Sequence, residues 1–337
     1  MKKILIIQTA FIGDAVLATA MLEKIHSCLP EWKIDFMVRK GNESLFINHP
    51  FLHKVIIWDK KGAKYTNLFK LLLQIRNNKY SIVVNAQRFM ATGILTAFSG
   101  ARLTIGFDKN PLSYLFRKRI KHIVSTSSTT IHEVERNQQL ISSFTDDIYC
   151  LPKLYPSATD NSTTKALKER PYICIAPSSV WFTKQFPKRK WIAFLDVLPK
   201  EYIVYIIGAK SEWQACEKIL SRSHNRLVIN LAGELSFLQS ASLMKDAVMN
   251  YVNDSAPLHF ASAVQAPVTA IYCSTIPEFG FGPLGENSRI VQAEEKLSCK
   301  PCGLHGLKEC PEKHFNCAYL IRNEQLLAGL DNIQYHF

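Results

Sequence analysis

Acidic residues are scarce in this chain of 337 residues, which has 28 Asp and Glu against 41 Lys and Arg and a net charge of +13. Such a charge favours anionic partners, namely nucleic acid, an acidic membrane surface or a phosphorylated substrate, and the plainer interpretation is a solvated basic surface. The sequence lacks helix-turn-helix, RNP and zinc-finger spacings, so we predict no nucleic acid partner. It also lacks an apolar run long and clean enough to span a bilayer. The length and a hydrophobic content of 47% favour a globular protein of two domains.

The first 22 residues, in which two lysines precede ILIIQTAFIGDAVLATAML, have two interpretations. A secretory signal is one of them, but the carboxylate of Asp14 interrupts its apolar run at a cost of about 3 kcal/mol on insertion scales. The other is a buried parallel strand over residues 4–7, a tight turn at Gly13 and a helix after it. We favour the second interpretation, which places Asp14 at the carboxyl edge of an α/β sheet, where ligands bind.

The chain has nine cysteines, an odd number. Five of them are isolated in the sequence, which is typical of core residues or free thiols. Without an export signal, this usage favours a reducing cytoplasmic compartment. The other four follow the spacing C-x2-C-x7-C-x6-C at Cys299, Cys302, Cys310 and Cys317. Four thiolates can close a tetrahedral structural zinc site, and reduced thiols or a disulfide are the alternatives. We expect no catalytic role for this cluster.

Strand and helix patterns alternate along both halves of the chain, as in parallel α/β sheets. The predicted strands lie at 4–7, 34–38, 54–58 and 81–85 in the first half, and at 173–176, 202–208, 227–233, 247–254 and 267–273 in the second. Between the halves the composition changes to LPKLYPSATDNSTTKALKER, in which prolines and hydroxyl residues dominate as in a linker.

We therefore predict two Rossmann-like domains, an acceptor-binding one over residues 1–155 and a nucleotide-sugar-binding one over 171–320. A linker at 156–170 joins them, and a C-terminal helix and tail at 321–337 is predicted to pack back on the first domain. A cleft between two such domains suits a reaction with two substrates.

Hydroxyl and basic residues that suit a pyrophosphate follow the strand at 173–176. The stretch APSSVWFTKQFPKRKW supplies Ser178, Ser179 and Thr183 before Lys184, and an ordinary surface loop fits the spacing equally well.

Two stretches after other strands of the second half, NDSAPLHFASA and GAKSEW, hold further candidates. In the first, Asp254 or Ser255 is either a ligand or the N-cap of the helix that carries His259, and capping is the plainer interpretation. In the second, Glu212 is placed to hold ribose hydroxyls, as acidic residues do in nucleotide folds, or is a solvated helix residue.

Six stretches together carry a resemblance to a known family. They are ILIIQTAFIGDAVLATAML, HEVERNQQLI, APSSVWFTKQFPKRKW, YIIGAKSEW, VNDSAPLHFASA and CKPCGLHGLKECPEKHFNC. In order and spacing they are similar to the ADP-heptose:lipopolysaccharide heptosyltransferases of glycosyltransferase family nine, over nearly the whole chain. The resemblance implies the GT-B fold, an α/β architecture of two Rossmann-like domains facing a central cleft. It further implies inverting transfer of heptose from ADP-heptose to the inner core of lipopolysaccharide.

The resemblance also implies roles for individual residues, and no obligatory metal. Asp14 matches the catalytic base, although a helix start favours its charged form, and Lys184 matches the lysine that offsets charge on the departing ADP, with Lys188 as the fallback. The other implied donor-binding residues are Ser178, Ser179, Glu212, Asp254, Ser255, Ala256 and His259. For an acidic acceptor and for lipid headgroups at the cytoplasmic face of the bacterial inner membrane, we expect contacts from Arg88, Arg117, Lys118, Arg119 and Lys121.

Several alternatives stay open at this point. Glu133 and Arg136, in the stretch HEVERNQQLI, are either substrate-binding residues or a plain helix ion pair. The donor is ADP-heptose or another nucleotide sugar, because no residue pattern identifies the sugar itself. A non-catalytic protein that binds nucleotide or lipid is the remaining possibility, against which the Gly13-Asp14 turn and Lys184 argue.

Overall fold

The computed structural model describes residues 2–60, 64–124 and 130–330. It divides into two compact units, Met1–Tyr155 and Pro156–Phe337. Each unit contains one six-stranded sheet in which every strand pairing is parallel, with helices between the strands. The prediction of an α/β fold made of two Rossmann-like units is therefore confirmed.

In the described residues, the first unit contains six strands and five α-helices. They are β1 (Lys3–Ile7), α1 (Ile12–Leu17), α2 (Thr19–Cys28), β2 (Lys33–Arg39), β3 (Leu52–Trp58), α3 (Lys64–Asn78), β4 (Ile82–Asn85), α4 (Met90–Ala97), β5 (Leu103–Phe107), β6 (Lys118–Ile120) and α5 (Glu133–Gln139). The strand order is β3-β2-β1-β4-β5-β6, so the order reverses between β1 and β4. The carboxyl ends of these two strands frame the crevice where open α/β sheets bind ligands.

The second unit repeats this plan. Its elements are α6 (Ala158–Thr164), β7 (Tyr172–Ala176), α7 (Lys188–Val197), β8 (Ile203–Ile206), α8 (Trp213–Leu220), β9 (Val228–Asn230), α9 (Phe237–Lys245), β10 (Met249–Asn253), α10 (Ala256–Ala263), β11 (Val268–Ile271), β12 (Ser288–Val291), α11 (Asn316–Tyr319) and α12 (Asn323–Leu327). The strand order is β12-β11-β10-β7-β8-β9, with its reversal between β7 and β10.

The hydrophobic core of each unit lies between the sheet and its helices. In the first unit, Leu68, Leu71 and Ile75 of α3 pack on the sheet. In the second, Phe194 of α7 packs edge-on against Tyr251 of β10, with ring centroids 4.7 Å apart. Aromatic side chains of this size bury enough apolar area to fix the helix on the sheet.

The opening segment folds as a strand followed by helices, as the second interpretation predicts. The turn differs from the prediction, because α1 already begins at Ile12 and Gly13 is its second residue. Helix α1 ends at Leu17, and α2 begins at Thr19 after Ala18. Among the described residues, no helix combines the length and the apolar content that crossing a bilayer requires.

The segment predicted as a linker at 156–170 contains helix α6 and forms part of the second unit. Its serines and threonines serve as caps and contacts rather than as flexible chain. Ser157 and Asp160 form a capping box at the helix start. Further along, Asn161 Oδ1 accepts a hydrogen bond from the hydroxyl of Ser242 on α9 at 2.7 Å, and the hydroxyls of Thr164 and Ser242 lie 3.0 Å apart.

The described part of the C-terminal segment, residues 321–330, packs into the second unit, and its packing on the first domain stays a prediction. Leu326 of α12 is fully buried in the core of that unit, and the hydroxyl of Tyr251 donates to its carbonyl. Asn323 also donates to the carbonyl of Ala193 on α7. The packing follows from the apolar residues of α12, which complete the cover over α7 and β10. Residues 331–337 lie outside the described residues.

A buried histidine joins the end of the first unit to α2. The ring of His49 packs edge-on against Tyr155, with centroids 4.9 Å apart, and its Nε2 lies 3.4 Å from Glu23 Oε1. The same carboxylate accepts hydrogen bonds from the Tyr155 hydroxyl at 2.8 and 2.9 Å. Burial, together with the charge of His26, lowers the pKa of His49 to about 4. The folded protein therefore holds this imidazole neutral.

We predict that His49 makes the stability of the protein depend on pH between about 6.5 and 4. In this window the unfolded chain takes up a proton that folded His49 does not bind, so the free energy of unfolding falls as the pH falls. The difference amounts to about 3 kcal/mol once the pH is below 4. Urea unfolding of the wild type and of His49→Asn, measured from pH 8 to pH 4, checks this.

The value at pH 8 gives the packing cost of His49→Asn, because His49 is neutral there in both the folded and the unfolded state. We expect the two unfolding free energies to converge as the pH falls. Parallel curves for wild type and variant across the whole range would contradict the assignment.

Candidate functional site

Asp14 lies at the carboxyl edge of the first sheet, where it is half-buried as the third residue of α1. The N-cap of this helix is Phe11, so Asp14 lies inside the first turn and does not cap the helix. Peptide dipoles at a helix start favour a negative charge in the first turn. The fold thus presents a carboxylate at the ligand-binding edge of the first unit.

Four buried polar side chains at the ends of β1 and β4 were missed by the sequence analysis: Gln8, Thr9, Asn85 and Gln87. Gln87 donates from its side-chain amide to Oε1 of Gln8, and Asn85 Oδ1 accepts from the Gln87 backbone amide at 2.9 Å. These bonds join the two strand ends at the point where the strand order reverses. The signal that marks them is a polar residue directly after a buried apolar strand.

Two cations stand at the ends of β2 and β3. Arg39 is the last residue of β2, and Lys60 follows β3 and donates from Nζ to the carbonyl of Thr9 at 2.6 Å. Burial and the charge of Arg39 lower the pKa of Lys60 to about 8. Basic side chains at the same sheet edge as Asp14 suit an acidic ligand.

Arg88 is exposed after β4. Its charge acts on His122, which belongs with Arg136 and Glu133 to a second group of polar residues. Burial lowers the pKa of His122 to about 4, and the charges of Arg88 and Arg136 contribute to the shift. Arg136 Nε donates to Glu133 Oε2 at 2.8 Å, so these two residues form the helix ion pair of the plainer interpretation. Burial raises the pKa of Glu133, while Arg136 opposes the rise.

The basic residues Arg117, Lys118, Arg119 and Lys121 lie in and around β6, the edge strand of the first sheet. Arg117, Arg119 and Lys121 are exposed and Lys118 is half-buried. Charges on an edge strand also discourage pairing with another sheet. Their role in acceptor binding stays a prediction.

Lys184 and Asp254 meet at the carboxyl edge of the second sheet. Lys184 Nζ lies 2.6 Å from Asp254 Oδ2, and both side chains are largely buried. The same carboxylate oxygen accepts from the hydroxyl of Thr275 at 2.6 Å. Lys184 follows β7 and Asp254 follows β10, so the pair spans the reversal of strand order. A buried cation held in this way is placed to meet an anionic group of a ligand.

Asn253, a residue that the sequence analysis did not single out, shapes the loop that carries the predicted serines. Its side-chain amide donates to the carbonyl of Pro177 at 2.8 Å, and its Oδ1 accepts from the amide of Phe186 at 3.0 Å. Ser178 and Ser179 are half-buried on this loop. The last residue of β10 therefore fixes both ends of the loop after β7.

The remaining predicted donor residues lie on neighbouring strand ends. Glu212 follows β8, and its Oε2 accepts from the amide of Ala209 at 2.7 Å at the start of a helical turn. Ser255 is the N-cap residue of α10, but its hydroxyl donates to the carbonyl of Asn253 at 3.3 Å. Ala256 is the first residue of α10, and His259 is buried further along it. Because β8, β7 and β10 are adjacent, the sheet brings these residues to one edge.

The loop at 299–317 that carries the four cysteines, called the cysteine loop below, packs on Lys184 and its neighbour Thr183. The amide of Leu307 donates to the hydroxyl of Thr183 at 2.7 Å, and the Thr183 amide donates to the carbonyl of Leu307 at 3.1 Å. All nine cysteines are free thiols, and burial raises the pKa of Cys317 to about 12. In the part of the chain that the structure describes, no three His, Cys, Asp or Glu side chains are arranged to hold a metal ion. Structural zinc at Cys299, Cys302, Cys310 and Cys317 stays a prediction.

Comparison with known proteins gives consistent results. Lipopolysaccharide heptosyltransferase 3 of Escherichia coli is 26% identical over 279 residues, which cover 79% of this chain and 82% of that protein. Lipooligosaccharide heptosyltransferase 2 of Haemophilus ducreyi is 24% identical over 313 residues, with coverages of 86% and 88%. The solved structure of E. coli ADP-heptose lipopolysaccharide heptosyltransferase II superposes with a TM-score of 0.80 at 20% identity, over 98% of both chains.

The sequence profile of glycosyltransferase family 9 (heptosyltransferase) matches residues 68–314. These residues include Lys184, Asp254 and the cysteine loop, whereas Asp14 precedes them. The profile spans more than half of the chain, and the superposition with a heptosyltransferase extends over nearly all of it. The chain therefore belongs to glycosyltransferase family 9, and it is a glycosyltransferase.

Proposed function

We propose that this protein transfers heptose from ADP-heptose to the inner core of lipopolysaccharide, with inversion at the anomeric carbon. Family membership supports the reaction class, and the pairing of Lys184 with Asp254 is the observation that carries the donor site. Relatives named heptosyltransferase 1, 2 and 3 match at 22–26% identity. The proposal therefore extends to the inner core as acceptor and not to one position on it.

In the proposed reaction, Asp14 is the general base. An acceptor hydroxyl attacks the anomeric carbon from the face opposite ADP, its proton passes to the Asp14 carboxylate, and the bond from that carbon to the ADP oxygen breaks. The electron pair leaves with ADP. Half-burial of Asp14 at the carboxyl edge of the first sheet supports this role, because the carboxylate is partly shielded from water and still open to a ligand.

Lys184 has the proposed role of offsetting the charge that develops on the departing ADP. A fixed cation stabilises a transition state better than a mobile one, because no reorganisation is needed as the charge develops. The ion pair with Asp254 and the hydrogen bond from Thr275 to the same carboxylate support this role, since they hold the ammonium in place. Ser178, Ser179, Ala256 and Glu212 would contact the rest of the nucleotide sugar.

On the acceptor side, Arg88 and the residues Arg117, Lys118, Arg119 and Lys121 would meet the acidic inner core. The structure adds Arg39 and Lys60 as candidates, because they lie at the same edge as Asp14. We also propose that the protein works at the cytoplasmic face of the inner membrane as a peripheral protein. The net charge of +13 supports this, because anionic lipid attracts basic surfaces.

The experiment that tests the proposed function is a titration of the purified protein with ADP-heptose beside GDP- and UDP-sugars, followed by turnover with a heptose-free inner-core acceptor. We expect selective binding of the ADP sugar and a product whose new linkage is inverted, as read by NMR. Tight binding of another nucleotide sugar would show that this sugar, and not ADP-heptose, is the donor. Binding of ADP without turnover would favour the non-catalytic alternative.

Asp14→Asn is expected to lower kcat by about 100-fold or more, because the amide cannot accept the proton. The Kd for ADP-heptose should stay within about twofold of wild type, since Asp14 acts on the acceptor. Steady-state kinetics and calorimetry measure the two quantities. Glu324→Gln removes a first-turn carboxylate from α12 and serves as the matched control. Near-normal turnover of Asp14→Asn would show that Asp14 is not the general base.

Gly306→Ala is expected to weaken ADP-heptose binding by about tenfold, because the added methyl group would displace Lys184. A Cβ at this position would lie 2.9 Å from Lys184 Cγ and 3.1 Å from Thr183 Oγ1. Gly303→Ala is the matched control, since Gly303 has the same φ of +78° and no atom within 4 Å of its Cβ position. Equal donor Kd values for the two variants would show that the cysteine loop does not position Lys184.

A further inference from the structure

The outer face of α3 exposes an apolar stripe to solvent. Tyr65, Phe69 and Leu73 follow one another at intervals of four residues and are 80%, 61% and 45% exposed. Side chains with this spacing lie on one face of a helix. The opposite face is already buried, because Leu68 and Ile75 pack in the core of the first unit. The stripe is thus additional to what the fold needs.

A basic cavity adjoins the C-terminal end of α3. It has a volume of about 690 Å³ and is lined by Arg76, Lys79 and Arg102, with Ser81 and Ser99 among the other lining residues. Arg76 donates from Nη1 to the carbonyl of Phe98 at 3.0 Å, which links the cavity to a further exposed aromatic ring. Three cations around one cavity suit a phosphate group.

Acidic residues are absent from this part of the chain. Residues 60–107 contain eight Lys and Arg and no Asp or Glu. Extended to residue 132, the segment contains thirteen Lys and Arg and one Asp, a difference of twelve in a chain whose net charge is +13. The positive charge of the protein is therefore concentrated in the sequence that forms α3, α4 and the strands beside them.

We propose that the outer face of α3 and the adjoining basic cavity dock this protein on an anionic lipid bilayer. Phe69, Leu73 and Phe98 enter the boundary between headgroups and acyl chains, as the apolar face of an interfacial helix does. Lys70, Arg76 and Arg102 pair with lipid phosphates, and one headgroup occupies the cavity. The inference rests on the proposed function, because the proposed acceptor is itself a lipid.

Charge complementarity selects the bilayer over a second copy of this chain. A two-fold contact through α3 would bring two basic surfaces together, and like charges across an interface oppose association. An anionic bilayer instead provides phosphates for the cations and an apolar layer for the stripe. An anionic bilayer is therefore complementary both to the apolar stripe and to the basic cavity.

Co-sedimentation of the full chain with vesicles tests the proposal, with vesicles of phosphatidylcholine alone and with about a third of phosphatidylglycerol added. We expect binding to the anionic vesicles only, and weaker binding as salt rises. The variant Arg76→Gln/Lys79→Gln/Arg102→Gln should bind about 100-fold more weakly, because each cation contributes about fivefold. Phe69→Ser/Leu73→Ser should lose binding even at low salt.

Two control variants remove exposed side chains of the same kinds from the second unit. Lys218→Gln/Arg222→Gln/Arg226→Gln takes three exposed charges from the second unit, and Val197→Ser takes an exposed apolar side chain from α7. Both should bind anionic vesicles as wild type does. Equal losses in the charge control and the cavity variant would reduce the effect to net charge and overturn the proposal.

Assays with a delipidated acceptor separate this proposal from the proposed function. We expect α3 variants to transfer heptose to soluble inner core at the wild-type rate, and to acceptor embedded in vesicles at a rate reduced at least tenfold. If the wild type transfers heptose to neither acceptor, the proposed function is refuted. The vesicle-binding result then still tests the docking proposal by itself. A wild-type dimer that Phe69→Ser/Leu73→Ser converts to a monomer, without change in vesicle binding, would overturn the docking proposal.

Discussion

The short ion pair between Lys184 and Asp254 is the interaction on which the edge of the second unit depends. It connects the loop after β7 to the residue before α10, with both side chains largely out of water. Removal of one partner from a buried pair leaves a desolvated charge, at a cost of about 3–5 kcal/mol. The pair therefore fixes a cation and closes the gap between two strand ends at the same time. Thr183 secures the other side of the loop through its hydrogen bonds to Leu307.

The two units share one architecture but carry different charged groups at the carboxyl edge of the sheet. In both, the reversal of strand order opens a crevice at the carboxyl edge of the sheet. In the first unit that edge is joined by side-chain amides, Gln8 to Gln87, and carries the carboxylate of Asp14. In the second unit the edge is joined by an ion pair and presents an ammonium group. A base and a cation are the two groups that the proposed displacement at an anomeric carbon would use.

The central strands can be predicted from the sequence, because buried parallel strands are continuous apolar runs. Strands β1, β2, β4, β7 and β10 all lie within two residues of their predicted bounds. The strands β5, β6 and β12 were not predicted. Of these, β6 and β12 are edge strands whose residues are partly solvated, so their pattern resembles that of a loop. The capping box of α6 was hidden for a related reason, since hydroxyl residues occur both in linkers and at helix starts.

The contacts that build the site were less accessible to sequence analysis. Asp254 was a candidate ligand or cap, and its pairing with Lys184, 70 positions earlier in the chain, has no local signal. Gln8 and Gln87 are likewise 79 positions apart. The family resemblance supplied roles for Asp14 and Lys184, but it gave no role to Asn253, which fixes both ends of the loop. Local patterns encode strands and caps, whereas these contacts exist only once the sheet has formed.

The pairing of β1 with β4 also bears on how the protein is made. Ile4 pairs with Ile82, whereas Lys3 pairs with Lys33 on the other side of β1. During translation the central strand therefore gains one neighbour early and waits for the other. At about 5–20 residues per second the interval between residues 4 and 82 lasts about 4–16 s. From the formation of β2 until that of β4, strand β1 of the nascent chain has one unpaired backbone edge, and this edge is where chaperone binding or aggregation competes with folding.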